Sequence, residues 1–466
     1  MVLTKRSAAS GDRIAWHFVG FLRLQKRKHH AMAFFQRPLP KFNCYSFDVD
    51  RNSRGKLLDP QHEALQSLQQ FFGGQNEGRI GLVSMPTGSG KTGVISCLPY
   101  FLGKLGLDPP PAPGALPYGD PLHTFDKPVL VIAPDLAIAD QLEATLTVSA
   151  NAPGENFLLK RNIIPPHAVK FAVPVGQRIE ESNHVCNTEY LQSVEVIIAN
   201  AQKFLKAGWE DVLPDNIFKL VIVDEAHHYP ANTWFRIIQK FKTHAMVVFF
   251  TATPFRGDGQ PVLPEDVGEI VYRLPLKEAR KQRIIRGIHW HEPLGAGGTD
   301  DERFNLILEK VKSIQEDKDL TNPLPDGIPH MAIAITKNID CANIVRDLWN
   351  NQWGIPGSAI AYHSKLSKGE KKTLMDQIKT NQVKLVVVVE SLLEGFDHPP
   401  ISIAAIMTKI VSPVKFTQFI GRAQRVKRDC AVLEAAGILA DIVTHRIFDQ
   451  KDNIQAFEDE RLIPAD

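Results

Sequence analysis

The chain is poor in cysteine. Its 466 residues hold five, at positions 44, 97, 186, 341 and 430, and none stands in a CxxC pair. An odd and scattered set argues against a disulfide framework and a thiolate zinc site; it fits reduced thiols in a reducing compartment. Long apolar runs are also missing. None approaches the roughly 18 residues of a membrane helix, so no membrane-spanning segment is expected. Net charge is small, +2 from 54 Lys and Arg against 52 Asp and Glu. That excludes a global basic field, and any surface for a polyanion must be local. With 44% hydrophobic and 23% charged residues the composition is that of a globular protein, long enough for two or three domains.

One segment departs from this balance. Residues 1–37 carry Lys5, Arg6, Arg13, Arg23, Lys26, Arg27, Lys28 and Arg37 against a single acid, Asp12. Such a basic, acid-poor stretch fits a mitochondrial transit peptide, a disordered basic tail, or an over-extended start with Met32 as initiator. The apolar piece Ile14–Leu22 is broken by His17 and lacks a small-residue cleavage site, which argues against secretion.

What the chain does have is Met85-Pro86-Thr87-Gly88-Ser89-Gly90-Lys91-Thr92. The apolar run Ile80–Val83 precedes it and a helix-like run, Gly93–Leu102, follows. Strand, glycine-rich turn and helix form the context of a phosphate-binding loop. Gly88 and Gly90 let the backbone curl so that N–H groups point at an anion, and the helix dipole adds to the attraction. Thr87 and Ser89 complete the turn, Lys91 can reach outer phosphates, and the Thr92 hydroxyl can hold Mg2+. Met85 stands where the common form of the motif has glycine. Upstream, Gln61 opens an amphipathic helix; its amide suits an adenine edge, and equally an ordinary helix N-terminus.

Further along, apolar strands are expected at Val129–Ala133, Val194–Ala199, Leu220–Val223 and Val247–Phe250, with irregular chain over 149–193. Six prolines mark 104–127 as a surface loop. Continuous apolar strands separated by helices mean a parallel sheet covered on both faces, and the polar clusters fall at the strands' C-terminal ends, where such sheets bind ligands. Residues 257–300 read as a polar linker with a basic helix bearing Lys277, Arg280, Lys281, Arg283 and Arg286, which suits phosphates or a solvated face. A second α/β unit follows over 301–430, with strands at Met331–Thr336, Ser358–Ala361, Leu385–Val389 and Ile401–Met407 and a helix over Phe416–Arg425. The first unit spans 43–256, and 431–466 reads as an extension. The expected fold class is α/β, two tandem domains with parallel sheets, the phosphate loop of a P-loop NTPase in the first alone.

Nucleotide hydrolysis needs a carboxylate for magnesium and a group to orient water. Asp224-Glu225, at the end of a buried strand, suits that division: Asp224 toward the metal, Glu225 toward water. His227 and His228 lack a third ligand at useful spacing, so His227 is expected to hydrogen-bond across a cleft. Arg422 and Arg425 lie three apart, with Gln418 one turn earlier and Gly421 permitting close approach. Arginines brought from a second domain stabilise charge on a transferring phosphoryl group. Glu316-Asp317-Lys318 matches an ExK nuclease pattern without the upstream carboxylate.

Taken in order, these segments resemble the superfamily 2 helicase core of the DEAH-box type, nearest to the type III restriction enzyme res-subunit branch, over about residues 55–430. Gln61 resembles the adenine-reading glutamine, and Thr87–Thr92 the PTGSGKT loop. Ala133-Pro134 and Ala199-Asn200-Ala201-Gln202 resemble the nucleic-acid-facing motifs of the first domain. Asp224-Glu225-Ala226-His227 resembles the DEAH box, and Thr251-Ala252-Thr253 the motif coupling hydrolysis to movement. Glu394-Gly395-Phe396-Asp397 and Gln418–Arg425 resemble the last two motifs, with Gly395 and Asp397 at the nucleotide. Leu58 and Pro60 depart from the arginine and aromatic usual near the glutamine. The resemblance implies that the α/β fold is two tandem RecA-like P-loop NTPase domains with parallel sheets, and that the chain is an ATP- and Mg2+-dependent helicase or translocase acting on nucleic acid, DNA before RNA, through phosphate contacts from groups such as Thr253 and Ser364. It leaves room for a partner subunit. An ATP-switched remodelling subunit and a non-catalytic scaffold are the alternatives. The compartment expected is cytoplasm or nucleus, or the mitochondrion if the basic N-terminus is a targeting segment.

Overall fold

The computed structural model describes residues 44–74, 78–103, 127–148, 155–205, 208–228, 232–254, 261–263, 267–295, 298–324, 327–352, 356–389, 398–426, 428–429, 432–433 and 438–460. The basic tail, most of the proline-rich loop, and Glu394, Gly395, Phe396 and Asp397 lie outside them.

Two parallel sheets organise the chain. The first runs β3-β4-β2-β5-β6-β1-β7. Its strands are β1 (Ile80–Ser84), β2 (Val129–Ala133), β3 (Gly176–Arg178), β4 (Val196–Asn200), β5 (Leu220–Val223), β6 (Met246–Thr251) and β7 (Gly268–Arg273). β1, β2, β4 and β5 are buried at every position, which is why they read as unbroken apolar runs. The second runs β10-β11-β9-β12-β15-β8. It is built from β8 (Ile288–Trp290), β9 (Met331–Thr336), β10 (Ala359–Tyr362), β11 (Leu385–Val389), β12 (Ile401–Ile406) and β15 (Ala440–Thr444), while β13 (Arg428–Asp429) and β14 (Val432–Leu433) make a short antiparallel pair.

The principal helices are α1 (Asp59–Gly73), α2 (Lys91–Leu102), α3 (Leu136–Leu146) and α4 (Asn232–Phe241) around the first sheet. α5 (Leu276–Lys281) lies between the sheets. Around the second stand α6 (Asp300–Thr321), α7 (Ile339–Gln352), α8 (Lys368–Lys379), α9 (Pro413–Ala423) and α10 (Lys451–Glu458). α6 begins with a capping box, Thr299 and Glu302 satisfying each other's backbone N–H groups. Its Phe304, Ile307, Leu308 and Val311 are buried against the second sheet.

Both sheets run past the boundaries expected from sequence. β7 lies within the segment read as linker, yet pairs with β1 in the first sheet. It is an edge strand with partly exposed residues, so no continuous apolar run marks it. β8, from the same segment, pairs with β15, and β15 pairs with β12, so residues 440–444 form an inner strand rather than an extension. Within 149–193, read as irregular, β3 adds the opposite edge. The basic segment is also differently disposed. α5 ends at Lys281; Arg280 donates to both Glu458 carboxylate oxygens at 2.7 and 3.2 Å, and Arg286 is buried. α10 therefore ties the connecting segment to the second sheet, with Trp290 Nε1 also on Glu458 at 2.9 Å, and just beyond α10 Glu460 accepts from Arg273 of β7 at 3.1 Å.

Candidate nucleotide site at the interface of the two sheets

The phosphate loop joins β1 to α2. Gly88 and Gly90 have φ of 80° and 93°, in the left-handed region that side chains disfavour. Successive turns of this kind aim backbone N–H groups at a common anion. Ser89 Oγ donates to Pro86 O at 2.7 Å, fixing the turn from within. Lys91, 9% exposed, donates to Met85 O at 3.3 Å and stands 3.9 Å from Glu225 Oε1. Met85 is a core residue: fully buried, with its N–H donating to Thr251 O at 3.0 Å. Thr87 and Thr92 are half-buried beside it.

Gln61 stands at the start of α1, and both ends of its amide meet main chain. Oε1 accepts from Leu58 N at 2.9 Å and Nε2 donates to Gly90 O at 2.8 Å. It thus combines the helix N-terminus with a direct hold on the loop. Gly93 makes room for it, since a Cβ there would lie 2.4 Å from Gln61 Nε2.

The carboxylates follow β5. Asp224 N donates to Ile132 O at 3.0 Å, which seats the pair at the end of the sheet. Glu225 adopts φ of 50°, an uncommon backbone for a residue with a side chain. Its N–H donates to Asp224 Oδ1 at 3.0 Å. Burial, with the neighbouring Glu225 charge, pushes the Asp224 carboxyl up to about 7 against the pull of Lys91. A buried carboxylate whose charge is penalised, and the half-buried Thr92 hydroxyl in the first turn of α2, are hard-oxygen donors of the kind that fit a divalent cation.

The second lobe reaches this site through α9. A Cβ on Gly421 would lie 2.8 Å from Thr87 Cβ, and a Cβ on Gly88 3.1 Å from Arg425 Cγ. Gln418 Nε2 stands 3.1 Å from His227 Nε2. With the amide donating, His227 carries its proton on Nδ1, which lies 3.5 Å from Glu225 Oε2. Arg422 is 5% exposed. The helix expected through Arg425 stops at Ala423 with Gln424 as cap, so Arg425 leaves the helix and turns to Gly88 instead of sharing a helical face with Arg422.

Thr251 and Thr253 end β6. Thr251 Oγ1 donates to Thr253 O at 2.8 Å and accepts from Thr253 N at 3.1 Å, closing a tight turn. Thr253 is buried and lines an interlobe crevice with Ser84, Pro86, Arg273 and Thr417, whereas Ser364 is exposed. Asn200 Nδ2 donates to Pro134 O at 2.9 Å, tying the ends of β2 and β4 together.

Two other clusters do not join the site. Lys318 of the ExK triplet is buried and pairs with Asp441, which leaves no nuclease arrangement there. His289 and His291 meet the same Asp441 at 3.0 and 2.8 Å. These three offer ligand atoms within 4.8 Å of one another, but the Lys318 ammonium already balances the carboxylate.

Residues 54–256 match the family model described as the type III restriction enzyme, res subunit. This part of the chain is similar to the res-subunit family of superfamily 2 helicases. The res-subunit match covers the phosphate loop, the carboxylate pair and the Thr251–Thr253 turn. Irc3 of Schizosaccharomyces pombe, named as a mitochondrial ATP-dependent helicase, is 28% identical over 244 residues, 49% of this chain and 40% of that protein. The DNA 3'-5' translocase XPB2 of Sulfurisphaera tokodaii is 23% identical over 270 residues, 49% of this chain and 59% of that protein. The chain thus spans less than two thirds of the length of these relatives. Among solved structures, an HsdR subunit fragment of a type I restriction enzyme from Vibrio vulnificus superposes with a TM-score of 0.57 at 17% identity, over 85% of this chain and 65% of that one. The Mycobacterium smegmatis helicase Lhr bound to ssDNA and AMP-PNP gives 0.56 at 17% identity, over 91% and 50%. These likenesses establish the two-lobed fold. Among the described residues no helix is long and apolar enough to cross a membrane.

Sequence reasoning reached the loop, the carboxylates and the arginines. It missed Arg286 and Gln424, which buttress the end of α9. Their only signals were the place of Arg286 in a basic run and of Gln424 between Arg422 and Arg425.

Proposed function

We propose that this chain is a nucleic-acid-dependent ATPase of the translocase or helicase kind, with ATP held between the two lobes. The observation that carries the reading is the seating of α9 on the phosphate loop, Gly421 against Thr87 and Arg425 against Gly88. A loop of one lobe faced by the arginine-bearing helix of the other is an arrangement in which hydrolysis depends on the lobes' relative position.

In this reading the loop N–H groups and Lys91 bind the outer phosphates. Thr92 and Asp224 would hold a magnesium ion, which when bound neutralises phosphate charge. Glu225 orients the attacking water, and His227 with Gln418 couples its position to the second lobe. Arg422 and Arg425 stabilise charge on the transferring group. Gln61 sets the loop from behind and borders the nucleotide; Gly395 and Asp397, outside the described residues, are assigned to nucleotide binding from the motif resemblance alone. Thr251 and Thr253 transmit the change at the carboxylates toward the interlobe crevice. The boundaries we assign are a first lobe from 43 to β7 and a second from β8 to α10.

The substrate strand is DNA in preference to RNA, held mostly through phosphates with little sequence preference. The name of the fission-yeast relative and the basic residues 1–37 support a mitochondrial location. ATPase rate measured with single-stranded DNA, duplex DNA, RNA or no addition tests the reading. Stimulation by at least one, lost in Lys91→Ala, is expected. Turnover indifferent to every nucleic acid would overturn it, and no turnover under any condition would favour the scaffold.

A further inference from the structure

Arg286 is 1% exposed, a guanidinium inside the protein between α5 and β8. It meets main-chain carbonyls. Nη1 donates to Ile401 O at 2.7 Å and Ala423 O at 3.1 Å, and Nη2 donates to Pro399 O at 2.9 Å. Its own backbone is tied twice to one residue. Arg286 N donates to Gln424 O at 2.8 Å, and Gln424 Nε2 donates to Arg286 O at 2.9 Å.

These partners have a common place. Ala423 is the last residue of α9 and Gln424 its cap. The final carbonyls of a helix lack intrahelical donors and carry the negative end of its dipole, so a buried cation there is doubly favoured. Ile401 opens β12, on which α9 packs, and Pro399 lies in the turn just before it. One side chain therefore pins the end of α9 to the strand beneath it, and the two-way tie with Gln424 joins that end to the segment arriving from the first lobe. Arg422 and Arg425 stand on either side of the pinned Ala423-Gln424 pair.

We propose that Arg286 is a positioning residue for Arg422. By making the interlobe segment and the end of α9 one body, it fixes where that arginine stands relative to the phosphate loop, and it carries lobe movement directly to it. This rests on the reading that Arg422 acts on the nucleotide from across the interface. A planar fork meeting three carbonyls on two elements is a geometry that a lysine ammonium cannot reproduce, although lysine keeps the charge.

The test is a double-mutant cycle on the full chain, with nucleotide affinity, melting temperature and single-turnover hydrolysis read for each protein. Arg286→Lys is expected to slow hydrolysis by about ten- to a hundredfold, the scale of a misplaced catalytic group, with nucleotide affinity nearly unchanged. In the Arg422→Ala background the same substitution should add almost nothing. Should Arg286→Lys not fold, Gln424→Leu, which leaves the guanidinium in place, should slow hydrolysis in the same pattern. An equal fall in both backgrounds would make Arg286 a general prop and overturn the proposal. If Arg422→Ala is slow while Arg286→Lys and Gln424→Leu turn over normally, the proposal alone fails. If Arg422→Ala itself turns over normally, the two-lobe reading fails and takes the proposal with it.

Discussion

Gly421 of α9 stands so close to Thr87 of the phosphate loop that a single added methyl would lie 2.8 Å from the Thr87 Cβ. This is closer than such carbons pack, so alanine at 421 must push the second lobe off the first or distort the loop. Gly421→Ala is expected to leave the melting temperature within a few degrees, because Gly421 lies inside a helix that alanine favours by about 1 kcal/mol. It should lower kcat by about tenfold or more, the scale on which misplacement acts. Steady-state kinetics alongside thermal melting check this; unchanged kcat would mean that the contact is not on the catalytic path.

Lys91 is held between the Met85 carbonyl and Glu225, at 3.3 and 3.9 Å. Lys91→Ala removes the only side-chain cation proposed for the first lobe's half of the site. Turnover should fall by about a hundredfold or more, as for loss of a preorganised charge in a catalytic site, and nucleotide affinity should fall as well. Titration with a fluorescent ATP analogue and an ATPase assay read both effects.

Met85 looks like a defect of the motif but behaves as a core side chain, fully buried, with only its main chain turned to Lys91. Met85→Ala should destabilise the protein by about 2–5 kcal/mol through lost burial and a cavity. Because the carbonyl stays, nucleotide affinity should change little. Urea unfolding with and without bound nucleotide separates these two effects.

Asp441 joins Lys318, His289 and His291 under the second sheet. Burial alone would raise its carboxyl, but the His291 hydrogen bond and the Lys318 ammonium outweigh it and hold it down at about 2. A depressed carboxylate adds stability above its unfolded pKa and loses it as pH falls through the folded value. Asp441→Asn should therefore destabilise at pH 7, with the difference from wild type smaller at pH 3. Urea midpoints at the two pH values check the sign.

The inner strands were legible because they are buried on both faces, leaving nothing polar to interrupt them; Leu220–Val223 is the plainest case. β7 and β8 were hidden in a segment read as linker. One is a partly exposed edge and the other is three residues long, so neither carries a periodic signal. β15 was read as an extension because its partner β12 lies far back along the chain, and register between distant strands leaves no local mark. The same limit applies to the site. Lys91, Asp224 and Glu225 follow from motif and strand end, whereas Arg425 was expected on a helix that stops at Ala423, where Arg286 and Gln424 take over its carbonyl end. A buried arginine satisfied by carbonyls looks, in sequence, like one more member of a basic run.

The central claim is that hydrolysis uses one half-site from each lobe. Arg422→Ala tests it most directly, with nucleotide binding and single-turnover hydrolysis measured on the same preparation in the presence of stimulating nucleic acid. Nearly unchanged binding with hydrolysis slowed by about a thousandfold, as when an arginine finger is withdrawn, is the predicted result. Hydrolysis at the wild-type rate would contradict the account.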